Sequence, residues 1–331
     1  MNKPVILIPP GDPSGIGPEV ALRALMQEPS IFSLCVPVLV CDPAVLCDAR
    51  LGMSLPEIRV LSAIEDARSD TGNICVLPGA HIAYEDYAPG RLSPAAAGAA
   101  VAWVREAASL VMKDRAAAVV TGPLNKEAMR AAGIRFIGHT ELLADAAGVA
   151  GCTTMLATPG LRVTHVTRHI PFKDIADTLS SELIMQTVEI THKGLEQMGV
   201  AKPRLAVAGL NPHNGDNGLL GCEEAEIIAP AVRAARAAGI GVAGPVPADS
   251  VFFQAINGDF DAVVCLYHDQ GHIAVKTHDF RRSITITLGL PFLRTSVDHG
   301  TAFEIAGKSC ADAASMTEAI LQAAEYASGW E

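Results

Sequence analysis

Positive charge is in short supply in this chain of 331 residues. It carries 25 Lys and Arg against 36 Asp and Glu, a formal net charge of -11 with a pI near 5.4. It has no basic run and no basic amphipathic helix, which argues against a nucleic-acid or anionic-membrane surface. Any anionic ligand must therefore be met by local cations. The eight cysteines, at 35, 41, 47, 75, 152, 222, 265 and 310, form no CxxC pair and no compact secreted framework, so they read as reduced, mostly buried thiols. The opening MNKPVILIPPGDPSG has too short an apolar stretch for a signal peptide, and nowhere does an apolar run reach membrane length. A soluble, cytoplasmic protein is expected. Internal repeats and low-complexity tracts are absent too. The glycine-rich segment GDPSGIGPE (11–19) is neither GxxxxGK[ST] nor GxGxxG, so no standard P-loop or Rossmann site is expected there; a tight strand-to-helix turn is the alternative.

What the chain does have is alternation. Half the residues are hydrophobic and 18% are charged, and alanine-rich stretches alternate with Val/Ile/Leu runs, as in a well-buried α/β protein of two domains. VILIPP (5–10) reads as a buried strand, and a helix follows from near Pro18, where a first-turn proline is tolerated. VPVLVCD, RVLSA and NICVLPGA are further short strands before an alanine-rich helix over about 93–114. AAVVTGPLNKEAM repeats the strand, turn and helix sequence. The second half adds LRVTHVT, RLAVAGL, DAVVCLYHD and SITITLGL as strands, with helices over about 181–198 and 223–238.

Three histidines follow such runs closely: His169 after LRVTHVT, His213 after RLAVAGL and His268 after DAVVCLY. Parallel strands end on a common edge, so strand-terminal imidazoles can converge on one divalent ion, and three protein ligands leave a position open for substrate. Any one of them alone reads more readily as a hydrogen-bonded loop residue than as a ligand. The shared context, with NPHNGDNG and YHDQGH around two of them, favours the ligand reading. His165 lies within a strand pattern and His192 within a helical one, so both are expected to be structural.

The segments GDPSGIGPE, TGPLNKEAM, GHTELLA, GLNPHNGDNG, LYHDQG and ITLGLPFLRTSVDHGTAFEIAG together resemble the 4-hydroxythreonine-4-phosphate dehydrogenases of pyridoxine (vitamin B6) biosynthesis and their relatives that act on four-carbon acid-sugar phosphates. The resemblance runs from about Ile6 to Met316. It implies two α/β/α lobes like those of isocitrate and isopropylmalate dehydrogenases, with residues 1–135 and 300–331 in one and 136–299 in the other. It also implies an active-site cleft between the lobes and a homodimer whose site is completed across the interface. By the same resemblance His169, His213 and His268 hold one divalent metal ion (zinc, cobalt, magnesium or similar), while His139, Thr140, Lys276 and Arg294 bind the substrate. HGTAFEIAGK (299–308) is similar to the loop that holds the adenosine end of NAD in isopropylmalate dehydrogenases. NAD or NADP is thus expected at His299, Gly300, Thr301, Ala302, Ile305, Ala306 and Gly307.

Elementary chemistry agrees with several of these roles. Gly-His-Thr opens a helix whose free N–H groups suit a phosphate or carboxylate, although Thr140 also reads as an ordinary cap. Lys276 and Arg294 supply the local positive charge, and Arg can fork onto phosphate; read alone, each would be a solvated surface cation. Arg281 and Arg282 are expected at the rim. A metal-coordinated substrate hydroxyl loses its proton more easily as hydride leaves for nicotinamide, and the resulting β-keto acid can lose CO2. Asp249 and Asp269 are the candidate catalytic carboxylates, as proton acceptor or as orienters of imidazole, with a turn or capping role open for Asp249. Asp12 is a weaker candidate. Where the family pattern carries an asparagine before LGLP, this chain has Thr285, which points to a changed substrate contact. Other readings are a dehydrogenase of an aromatic dihydrodiol carboxylate, a metal-dependent hydrolase or hydratase, and a non-catalytic metabolite-binding module.

Overall fold

The computed structural model describes residues 3–54 and 57–330. Its strands, in chain order, are β1 Val5–Ile8, β2 Val36–Cys41, β3 Glu57–Val60, β4 Asn73–Pro78, β5 Ala118–Thr121, β6 Thr153–Thr158, β7 Leu161–His165, β8 Leu205–Ala208, β9 Val242–Val246, β10 Ala262–Cys265, β11 Ile284–Leu288 and β12 Leu293–Val297. They fall into two compact units: Met1–Cys152 with Leu290–Trp330, and Thr153–Gly289. The unit edges lie after Cys152 and Gly289 rather than after 135 and 299. His139, Thr140 and Arg294 therefore belong to the first unit, whereas the sequence reading assigned them to the second.

In the first unit the strand order is β3-β4-β2-β1-β5-β12 and every pairing is parallel. Ile6, Leu7, Ile8 and Val38 to Cys41 are fully buried, as expected for continuous apolar strands covered on both faces. The alanine-rich helix Pro94–Val111 starts where a start signal stands: the Ser93 hydroxyl accepts the Ala96 N–H at 3.1 Å and Pro94 occupies the first turn. Its small side chains let it lie close to the sheet, and its Trp103 is fully buried, donating from Nε1 to the Ala80 carbonyl at 2.8 Å. From β1 the chain proceeds to β2 on one side and later returns to β5 on the other. The carboxyl ends of β1 and β5 thus mark a switch point, where open α/β sheets bind ligands.

In the second unit the order is β11-β6-β7-β10-β8-β9. β11 with β6 and β6 with β7 run antiparallel, whereas β7, β10, β8 and β9 are parallel. The helix Ser181–Gln197 is capped by Ser180, whose hydroxyl accepts the Leu183 N–H at 3.2 Å. The helix expected over 223–238 is divided into a π turn, Glu224–Ile228, and the helix Ala229–Ala237. Pro230 has no N–H to give to the preceding turn, and a π turn absorbs that mismatch. Among the described residues no helix is long and apolar enough to cross a membrane.

Candidate functional site

β7, β10 and β8 are adjacent and parallel, so their carboxyl ends share one edge of the second unit. His169, His268 and His213 follow those ends by four, three and five residues. The His169 and His268 rings stand 5.7 Å apart, centroid to centroid, at 44°. Two imidazoles whose nitrogens each lie about 2.0–2.1 Å from one ion have centroids roughly 5–6 Å apart. The Nδ1 of His268 donates to Asp269 Oδ1 at 2.7 Å, which leaves Nε2 with its lone pair. This carboxylate is in contact with an imidazole, in the orienting position considered for it. Among the described residues, no group of three or more His, Cys, Asp or Glu side chains within the one chain is placed to hold a metal ion.

His213 stands on an unusual loop. From His213 to Asn217 every φ is positive (52°, 56°, 76°, 43° and 56°), a left-handed run in which Asn214, Gly215, Asp216 and Asn217 are the residue types that take this conformation most cheaply. Buried Glu224 holds the base of the loop, accepting the Leu210 and Asn211 N–H groups at 2.8 and 2.7 Å and Asn211 Nδ2 at 2.9 Å. Asn214 Nδ2 donates to the Pro245 carbonyl at 2.9 Å. The helix Ala248–Ile256 packs on this loop and carries Asp249, exposed, in its first turn.

Two further imidazoles join His268. His272 lies one turn along the helix His268–His278, and its ring stacks on His268 at 3.6 Å and 10°. His165, the last residue of β7, lies 4.7 Å from His272 and 6.1 Å from His268 between centroids. Burial, then the neighbouring His272 and His268, hold His165 neutral, with its pKa pulled down to about 3. His165 is a buried strand residue, as expected, but also part of the histidine cluster. Sequence reasoning missed His272, whose only signal is its four-residue spacing from His268. Lys276 is on the same helix, with Nζ 5.3 Å from the Phe280 ring centre, and Thr285 is on β11 opposite Leu156.

The first unit brings a different set together. Arg294 is only 3% exposed, which overturns the surface-cation reading; it sits on β12 beside Val119 of β5 and donates from Nε to the Thr121 hydroxyl at 3.2 Å. Burial lowers its pKa to about 9, so it keeps its charge at neutral pH. His139 heads the helix His139–Ala147, capped by Gly138, which has no side chain to occupy the terminal N–H groups. Burial, with the Arg294 charge as a second cause, holds His139 well below the usual histidine range, and it hydrogen-bonds the Gly122 backbone. The His139 Nε2 is buried and has no protein partner. Thr140 follows in the same turn, partly buried.

At the switch point the turn after β1 closes on two other segments. The Asp12 N–H donates to the Pro123 carbonyl at 2.9 Å and the Ile16 N–H to the Thr301 carbonyl at 3.0 Å. A Cβ on Gly11 (φ +88°) would lie 2.3 Å from the Pro123 oxygen, which is why glycine stands there. Thr301 also accepts Asn125 Nδ2 at 3.3 Å. Ala302 has φ 43°, and the Ile305 and Lys308 N–H groups return to the Ala302 and Ile305 carbonyls, so 299–308 is a tight loop that includes Ala306 and Gly307. His299 Nδ1 donates to the Gly300 carbonyl at 3.0 Å, and its buried Nε2 has no protein partner.

Asp12 is fully buried. Its Oδ1 accepts the Ser14 N–H at 2.9 Å while Oδ2 has no partner, and burial pushes its pKa from 3.8 to about 6. Between about pH 4 and 6 the folded state holds a proton here that the unfolded state has released, so this group makes stability fall as pH rises through that window. Asp12→Asn is expected to remove that slope and to raise stability at neutral pH by up to about 3 kcal/mol, at 1.36 kcal/mol per pKa unit. Urea unfolding of parent and variant at pH 4 and pH 7 checks it; equal pH slopes would show that Asp12 ionises freely.

Residues 33–323 match the family described as "Pyridoxal phosphate biosynthetic protein PdxA". A protein from Cupriavidus necator named D-threonate 4-phosphate dehydrogenase is 46% identical, over 98% of this chain and 97% of its own. The solved 4-hydroxythreonine-4-phosphate dehydrogenase of Klebsiella pneumoniae is 39% identical and superimposes with a TM-score of 0.90, covering 98% of this chain and 100% of that one. A terephthalate 1,2-cis-dihydrodiol dehydrogenase from Burkholderia xenovorans is more distant, at 30% identity and a TM-score of 0.68 over 98% of both chains. With its match to the family description over most of its length and its full-length likeness to these dehydrogenases, the chain belongs to the pyridoxal phosphate biosynthetic protein PdxA family.

Proposed function

We propose that the protein is a divalent-metal-dependent, NAD(P)-linked dehydrogenase that oxidises the 3-hydroxyl of a small 4-phosphorylated hydroxy acid. The observation that carries this reading is the pairing of His169 with His268 at the ends of adjacent strands, in a chain whose relatives are named dehydrogenases. D-threonate 4-phosphate is the substrate we favour, on the 46% identical relative; 4-hydroxythreonine 4-phosphate is the second reading, on the Klebsiella pneumoniae structure. Loss of hydride from C3 and a proton from its hydroxyl gives a β-keto acid, from which CO2 can then depart.

The donor set fits a metal that accepts imidazole, such as zinc or cobalt, better than magnesium. His169, His213 and His268 would hold it, and we infer a homodimer whose site is completed across the interface, in keeping with the family resemblance. Exposed Leu219, Phe253, Ile273 and Phe280 of the second unit are apolar surface that such an association would cover. The 299–308 loop fits an adenosine: His299 Nε2, left as an acceptor by the Nδ1 contact, can take a hydrogen bond from the adenine amine. Once bound, the dication would acidify the substrate hydroxyl and the nicotinamide would accept hydride.

The chain's own residues bind and orient. Arg294 and the helix head at His139 and Thr140 would clamp the phosphate, and a dianion beside His139 would favour its protonated form, linking binding to proton uptake. Asp269 holds the His268 proton at Nδ1, and Lys276 would supply charge for the carboxylate. Asp249 stays a candidate proton acceptor. The lobes of isocitrate dehydrogenases and a cytoplasmic location complete the reading. A hydrolase or simple binding module fits the dehydrogenase relatives less well.

The test is NADH or NADPH formation from a panel of D-threonate, D-erythronate and 4-hydroxythreonine 4-phosphates, with and without chelator. No turnover of any of them rejects the proposal. Thr285 offers a shorter polar reach than an asparagine amide, so Thr285→Asn is expected to shift the kcat/KM ratio between the threonate and hydroxythreonine phosphates by about 5- to 150-fold, the worth of a contact of 1–3 kcal/mol. Unchanged ratios would remove Thr285 from substrate choice.

A further inference from the structure

We propose that His272 is a positioning residue that holds the His268 ring in the plane from which its Nε2 reaches a divalent cation; the inference rests on the metal reading above. Asp269 fixes only one edge of the His268 ring, through Nδ1, and the Asp269 side chain is 72% exposed, where water competes for it. The face of the ring is set by His272, 3.6 Å away and 10° from parallel. A ring held at one edge can still tilt; a second flat ring against its face removes that freedom.

His272 is itself anchored toward the interior. Its Nδ1 lies 3.0 Å from the His268 carbonyl and 3.2 Å from His165 Nε2. A carbonyl only accepts, so His272 carries its proton on Nδ1 and shares it between the carbonyl and the His165 lone pair. His165 is buried at the end of β7. Gly271 permits this approach, since a Cβ there would fall 2.4 Å from His165 Nε2 and 3.0 Å from Cys265 Sγ. A line of contacts thus runs from a buried strand through His165 and His272 to the exposed side of His268. Hydrogen-bonded partners of a metal-bound imidazole typically change metal affinity by about 10- to 100-fold when removed, and a stacked ring that fixes the same imidazole's orientation is expected to act in that range.

The experiment is a Co2+ titration of the metal-free full-length protein, followed by visible ligand-field absorption, in the parent, His272→Leu, His272→Phe, His272→Asn and His268→Ala, with thermal midpoints to check folding. His272→Leu, which removes the flat ring, is expected to weaken Co2+ binding about 10- to 100-fold and shift the absorption band. His272→Phe, which keeps a flat ring but no donor, is expected to stay close to the parent. Parent-like binding and band in His272→Leu, with loss in His268→Ala, would overturn the positioning role while leaving the metal site standing. Should His272→Leu unfold, His272→Asn decides: it keeps a donor near the Nδ1 position without the ring, so parent-like binding there overturns the inference and weak binding supports it. No Co2+ binding by the parent would remove the metal reading and this inference with it.

Discussion

Arg294→Met is expected to lower kcat/KM for the phosphorylated substrate by about 10²- to 10³-fold, the loss of charge-assisted hydrogen bonds worth about 3–4 kcal/mol in total. The guanidinium is buried, retains its charge and lies beside His139, so its energetic effect on an anion is not diluted by water as a surface cation's would be. Arg294→Lys should recover part of the loss, because charge remains while the fork is gone. Measuring the same constants with the dephosphorylated acid separates clamping from general damage: the parent's preference for the phosphorylated form should collapse in Arg294→Met. If that preference survives intact, the phosphate is held elsewhere.

On the metal-dependent reading proposed above, His268→Ala is expected to have a larger effect on turnover, reducing kcat by at least about 10³-fold, because losing metal assistance to hydroxyl deprotonation would cost several kcal/mol. The KM for the nicotinamide cofactor proposed to bind at the 299–308 loop should change little, since that loop belongs to the other compact unit. Metal content of the purified variant, measured beside activity, gives the deciding comparison. Full metal occupancy with normal turnover would dismiss His268 as a ligand.

Parts of this molecule were plain in the sequence for identifiable reasons. β1 and the helix Pro94–Val111 announce themselves by an unbroken apolar run and by a Ser-Pro start. β6, β9 and β12 do not. β6 is half threonine, β9 contains Gly244 and Pro245, tolerated because it is an edge strand, and β12 buries Arg, Thr and Ser that local patterning reads as surface. The same limitation governs the site. His169, His213 and His268 follow recognisable strands, whereas the burial of Arg294 depends on β5 alongside it, and the family resemblance was needed to single it out. His272 lies within a helix and is marked only by its four-residue spacing from His268, and its stacking on that ring shows only once the helix is in place. Asp12 reads only as a weaker candidate carboxylate in a glycine-rich turn, and its complete burial depends on how that turn meets the Pro123 and Thr301 segments.

The left-handed run at 213–217 depends on residues outside itself. Because three hydrogen bonds at its base end on one carboxylate, Glu224, that acid is the main latch on the loop's opening, with the Asn214 contact to Pro245 holding its far side. Such a segment should exchange its amide hydrogens as one cooperative block, with the rates at Leu210 and Asn211 rising together when the latch is lost. Natural variation can then reshape the surface of the loop freely, provided the distant acid and the residues willing to bend left are kept.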